Sequence, residues 1–217
     1  MKKNLKNSGC VVMLMLILLS GCATNVQVKG EFPTPLSVPL PVHAGLVLDE
    51  KFRTHVYSNE ENRKLTFAIG EAQSAMYRTL VAGMFTRMTE LDSRPATPAT
   101  DITLVPSVEE IQVARPFETS LKVFEVWLKY NISVYDSKGE PIADWIMTAY
   151  GKTPTRFLTS DEDALNQAAI VALRDAGARL VIEFARVPEI SQWLQAHSAR
   201  QATAHTVDPA VVAGISR

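Results

Sequence analysis

The residues able to carry chemistry in this chain are few, and the most telling is a thiol. Cys10 and Cys22 are its only cysteines, and Cys22 closes the run Leu19-Ser20-Gly21-Cys22. The four histidines, His43, His55, His197 and His205, show no metal-ligand spacing. Glu109 and Glu110 are neighbours in a segment that reads as a strand, so their carboxylates point to opposite faces, the wrong arrangement for paired acid–base work. Asp161-Glu162-Asp163 has the look of a metal site. It follows Ser160 at the start of a helical pattern, however, where a cap and the positive end of the helix dipole account for all three acids. No GxSxG elbow, Walker sequence, GxGxxG, HExxH or CxxC occurs. The chemistry points away from an enzyme, and neither a cofactor nor a metal is expected.

The setting of Cys22 explains its use. Lys2, Lys3 and Lys6 make a basic start, followed by nine unbroken apolar residues from Val11 to Leu19. A membrane-spanning helix needs about 20 such residues, so the run suits the apolar core of an export signal instead. The residues that end it, Leu19-Ser20-Gly21-Cys22, resemble the bacterial lipobox. That resemblance implies a diacylglyceryl group on the Cys22 thiol, removal of residues 1–21 as signal peptide, and acylation of the new amine. Cys10 leaves with the signal, so no internal disulfide can form and the exported domain depends on a hydrophobic core. Loss of Lys2, Lys3 and Lys6 takes the basic count from 22 to 19 against 23 acids, a formal charge of −4. Nothing in that balance suggests nucleic acid as a partner. The membrane is one, through acyl chains that contribute about 0.8 kcal/mol per buried methylene. By resemblance to enterobacterial lipoproteins, Ala23 rather than Asp after the cysteine implies the outer membrane of a Gram-negative cell, with the domain facing the periplasm.

The elements behind the anchor follow from periodicity. Residues 22–42 read as the lipidated cysteine and a tether, extended by Pro33, Pro35, Pro39 and Pro41; an edge strand lying along the domain is the alternative. His43 to Glu50 reads as the first strand, with Phe52 to Tyr57 continuing it and Leu65 to Ile69 as a short second segment. Glu71 to Leu91 is predicted as a helix, because Ala72, Met76, Leu80, Met84 and Met88 recur every four residues. Its methionines read as adaptable core fillers. In Asp101 to Val113 the apolar parity switches after Leu104, which predicts a bulge near Pro106-Ser107 and an edge position.

Leu121 to Tyr135 alternates without a break on Phe124, Val126, Leu128, Tyr130, Ile132 and Val134. Asp136-Ser137-Lys138-Gly139 then turns the chain into a partner strand, Ile142 to Tyr150. Ser160 opens a second long helix whose buried stripe runs through Leu165, Ala169, Leu173, Ala176 and Leu180. Val187-Pro188 breaks it, Glu189 to Ala196 adds a short turn, and residues 198–217 read as a disordered tail.

With this order of elements behind a lipobox, residues 43–197 resemble small outer-membrane lipoproteins of the YajG type and, more distantly, LptE-like ones. The likeness rests on the helix before the sheet, the strand FEVWLKYNISVYDSKG with its hairpin, and the closing helix ending near Ser191-Gln192-Trp193. It carries no site residues across. The expected fold is α+β: a mainly antiparallel sheet of about four strands with two long helices on one face. The expected role is that of a non-catalytic, lipid-anchored accessory or binding subunit in envelope assembly or transport, with an envelope protein as partner. A carrier or sensor of lipid or glycan is the alternative, and a cell-wall enzyme a more distant one. A cavity of several hundred Å³ lined by Met76, Met84 and Phe124 would mark the carrier. Glu125, Trp127, Lys129 and Tyr150 are a candidate binding face of the sheet, unless the tether or last helix covers them.

Overall fold

The computed structural model describes residues 24–59, 64–93, 99–155 and 160–206. The expected signal peptide and the expected lipobox residues Leu19, Ser20, Gly21 and Cys22 lie outside them, as do residues 207–217 of the expected tail. The architecture is built on two sheets. The strands are β1 Thr24–Gln27, β2 Leu40–Val47, β3 Val56–Asn59, β4 Leu65–Ala68, β5 Phe85–Leu91, β6 Ile102–Ala114, β7 Val123–Asp136 and β8 Pro141–Pro154. The helices are α1 Glu50–Arg53, α2 Gly70–Met84, α3 Asp161–Glu183 and α4 Pro188–Thr206, with a 3-10 turn at Phe184–Arg186 between the last two.

The main sheet has five strands in the order β5-β2-β6-β7-β8. Its β6-β7-β8 half is antiparallel as expected, but β2 runs parallel to both β5 and β6. The expected sheet of about four strands is therefore corrected to a mixed five-stranded one, plus a small sheet β1-β4-β3. The extra strand comes from the end of the expected first helix. Phe85-Thr86-Arg87-Met88-Thr89-Glu90-Leu91 fits a four-residue period through Met88, yet its threonines and Phe85 favour a pleated surface. The chain turns extended at Phe85 (φ −124°, ψ 152°). Phe85 then buries against Phe184, ring edge to face at 5.5 Å.

The β7–β8 hairpin matches its sequence pattern. Every residue of the alternating β7 stripe is buried. At the turn, Asp136 Oδ1 accepts the N–H groups of Lys138 (2.8 Å) and Glu140 (2.9 Å), and Gly139 takes the positive φ of 81°. The β6 parity switch is also present, two residues later than expected, between Val108 and Glu110. Glu109 is the extra, exposed residue of that bulge, while Glu110 pairs with Lys129. β2 pairs with β6 only through Leu104, so Pro106 stands just past that pairing, where a missing N–H costs no ladder bond.

Three further expectations need correction. Phe52 to Tyr57 does not continue the first strand: Asp49 Oδ1 accepts the Phe52 N–H at 2.6 Å and caps the one-turn helix α1 before β3 begins. The Pro-rich segment does not stand free. β1 pairs in parallel with β4, Val26 and Val28 are buried, and the Lys29 backbone and the Asn166 side chain exchange hydrogen bonds of 2.8 and 3.2 Å. The segment therefore runs along α3. Residues 198–206 of the expected tail are helical, because Pro188 starts α4 rather than only ending α3. Buried Ile190, with Trp193 and Leu194 packed against the core, holds α4 to the body.

α2 and α3 pack on the apolar face of β7, but the two long helices expected become three, since α4 is 19 residues long. Ser160 Oγ accepts the Asp163 N–H at 3.0 Å and starts α3, so the acidic trio sits at a capped terminus. Small residues let α3 approach β8 closely: Gly151 faces the backbone of Ala168 and Ala172. On α2, Tyr77 meets Tyr130 edge to face at 5.8 Å. Gln73 donates to the Phe52 carbonyl (2.7 Å) and accepts from the Tyr130 hydroxyl (2.9 Å). Among the described residues no helix is long and apolar enough to cross a membrane.

Candidate binding cleft

α2 and α3 touch through Gly177, and their outer edges diverge. Met76 and Leu80 form one wall at i, i+4 spacing. Leu173, Gly177 and Val181 form the other, with Ala178 and Ile182 beside them. A Cβ added to Gly177 would come 2.8 Å from Leu80 Cδ1 and 3.6 Å from Met76 Sδ, so the helices close there for want of a side chain. The segment Phe32–Leu36 bridges the opening as a strap. It is held at its start by the Lys29–Asn166 bonds and near its end by Pro35, whose Cδ lies 2.6 Å from where a Cβ of Gly83 would stand.

The open cleft measures about 480 Å³ and is walled almost wholly by apolar side chains. Arg174 is the one charged residue in its lining, and its Nη2 donates to the Glu31 carbonyl at 3.5 Å. Around the mouth Leu36 is fully exposed, and Ile182 more than half exposed. The volume lies within the roughly 300–1,000 Å³ of small-molecule sites.

The structure only half matches the cavity that sequence reasoning named. Met76, itself a core residue, forms part of its wall, whereas Met84 and Phe124 do not reach it. The missed signal is Gly177-Ala178, which does not stand out within an alanine-rich helix. Only the fold shows that it faces α2.

The other candidate face is mostly engaged with itself. Tyr150 donates to Glu125 Oε1 at 2.6 Å and packs on Trp127 with ring centroids 5.2 Å apart. Burial, then the hydrogen bond to Glu125, push the Tyr150 phenol up to about 12. Trp127 and Lys129 line a shallow hollow of about 150 Å³. The tether covers neither residue, since it runs on α3.

Three of the four histidines have described side chains. The His43 ring contacts Thr89 Oγ1 (2.9 Å) and Arg87 (3.0 Å). His55 ends the α1 region, and His197 lies 3.9 Å from Asp101. Asp101 itself accepts the His43 backbone N–H at 2.9 Å. No group of three or more His, Cys, Asp or Glu among the described residues is placed to hold a metal.

Neither a family model nor a curated protein sequence matches the chain. Solved structures do. Protein XCC0632 from Xanthomonas campestris, described as DUF330, aligns with 73% of this chain and 93% of its own at a TM-score of 0.51 and 11% identity. A minor lipoprotein from Acinetobacter baumannii aligns with 67% of this chain and 92% of its own, at a TM-score of 0.40 and 12% identity. The likeness to XCC0632 is one of fold: the chain is an α+β domain of that general arrangement.

Proposed function

We propose that this chain is a non-catalytic lipoprotein of the bacterial outer membrane, anchored through acyl chains on Cys22 and facing the periplasm. It acts as an accessory or binding subunit in envelope assembly or transport. Its α2–α3 cleft takes an apolar group of the component it handles. The observation that carries this reading is the cleft itself, an apolar volume of about 480 Å³ on the helical layer. A concave, mostly apolar volume of this size is the usual form of a small-molecule site. The lipobox supports the anchor, and the pairing of β1 with β4 shows how little chain separates Cys22 from the folded body. A carrier or sensor of lipid is the second reading, favoured by the apolar walls.

A photo-crosslinking residue placed at Ile182, on the cleft mouth, tests the reading in intact envelopes, with Lys138 at the hairpin tip as control. Adducts to an envelope component from Ile182 and not from Lys138 are expected, together with acyl labelling that Cys22→Ser abolishes. Equal adducts at both positions would refute the site. Acyl labelling of Cys22→Ser would refute the anchor.

A further inference from the structure

Taking the cleft as a binding site, we infer that its ligand is a single-chain anionic lipid, one acyl chain lying along α2 and α3 with its charged head at Arg174, drawn from the membrane that holds the protein. The walls supply hydrocarbon contact and almost no hydrogen-bonding groups. A bound peptide segment would leave its own amides unpaired there, whereas an acyl chain asks for none.

Charges of both signs surround the mouth, and they pair unevenly. Arg179, next to the cleft, is already engaged by Asp175 (3.4 Å) and Glu183 (3.5 Å). Arg174 appears in none of the described ion pairs. Its hydrogen bond is the 3.5 Å contact to the Glu31 carbonyl, which leaves most of its five N–H donors for a carboxylate or phosphate. No acidic residue lines the cleft to compete for it. An apolar trough with one cation at its lip is the complement of an acyl chain with an anionic head. It fits neither a neutral nor a cationic amphiphile as well.

The test uses the full acylated chain in phosphatidylcholine vesicles with two photoactivatable probes of one sixteen-carbon length, a carboxylate and a quaternary ammonium. Adducts are mapped by mass spectrometry. The carboxylate probe should label the Leu173–Ile182 peptide or the strap about fivefold more than the ammonium probe, the factor an exposed ion pair supplies. Arg174→Glu should reverse that preference. Ala178→Trp, an exposed position whose indole would fill the cleft, should suppress both probes without lowering the melting temperature. Equal labelling by the two probes, still lost in Ala178→Trp, would overturn the anionic ligand and leave the cleft as an apolar site. Labelling that Ala178→Trp leaves untouched would overturn both.

Discussion

Replacing Gly151 by alanine should damage this fold severely. Gly151 lies in β8 beneath α3, and a Cβ there would overlap the Ala168 carbonyl oxygen and the Ala172 amide and stand 3.0 Å from Ala172 Cα. Carbon contacts settle near 3.5–4.0 Å, so α3 must retreat by at least about half an ångström, enough to forfeit a quarter or more of each contact's attraction nearby. The obstacle is helix backbone, which cannot swing aside as a side chain would. The cost belongs at the upper end of overpacking, about 3 kcal/mol. At roughly 2–4 °C per kcal/mol for a domain of this size, the melting temperature should fall by about 6–12 °C. Two controls separate mechanisms. Gly177→Ala meets only the flexible tip of Leu80 and should cost less than about 1 kcal/mol. Gly139→Ala meets nothing within 4 Å but keeps a φ of 81°, so about 1 kcal/mol of backbone strain is expected. Thermal melts followed by circular dichroism read all three. A Gly151→Ala protein melting within a degree or two of Gly177→Ala would show that α3 does not pack on β8 at this point.

Buried tyrosines give a second comparison. The Tyr130 hydroxyl serves Gln73, so Tyr130→Phe should cost about 1–2 kcal/mol in urea denaturation. The Tyr77 hydroxyl is buried without a hydrogen-bond partner, so Tyr77→Phe should be neutral or stabilising; a loss above that of Tyr130→Phe would contradict the Gln73 network. Ile132→Asp places a carboxylate on a fully buried site and should leave no folded protein at neutral pH by near-ultraviolet dichroism. Burial, then the charge of Arg87, hold His43 below 6.5, with Asp101 pulling weakly the other way. The folded state therefore prefers the neutral ring, and its contribution to stability is present above the unfolded value of about 6.5 and lost as pH falls from there through the lower folded value. Proton NMR should find His43 titrating below 6.5, and moving upward in Arg87→Ala; an unmoved midpoint would remove Arg87 as a cause.

What local sequence determines here is what local forces can decide. An unbroken two-residue alternation from Phe124 to Val134 leaves only one face to bury, and the Asp136 and Gly139 chemistry sets where the strand must reverse. Ser160 and its acids likewise place the start of α3 without help from the rest of the fold. The proposed anchor is equally local, since it rests on Leu19-Ser20-Gly21-Cys22 alone. Tertiary structure decided the rest. Whether Phe85–Leu91 continues a helix or becomes a strand depends on β2 being available to pair with it and on Phe184 receiving Phe85, partners far away in sequence. The prolines of residues 22–42 are compatible with a free tether, and only Asn166, Gly83 and the β4 edge turn that segment into a strap. The cleft depends on all of these together. Gly177 and Ala178 are ordinary helix residues until α2 is laid beside them and the strap across them, which is why the lining could not be read from the chain alone.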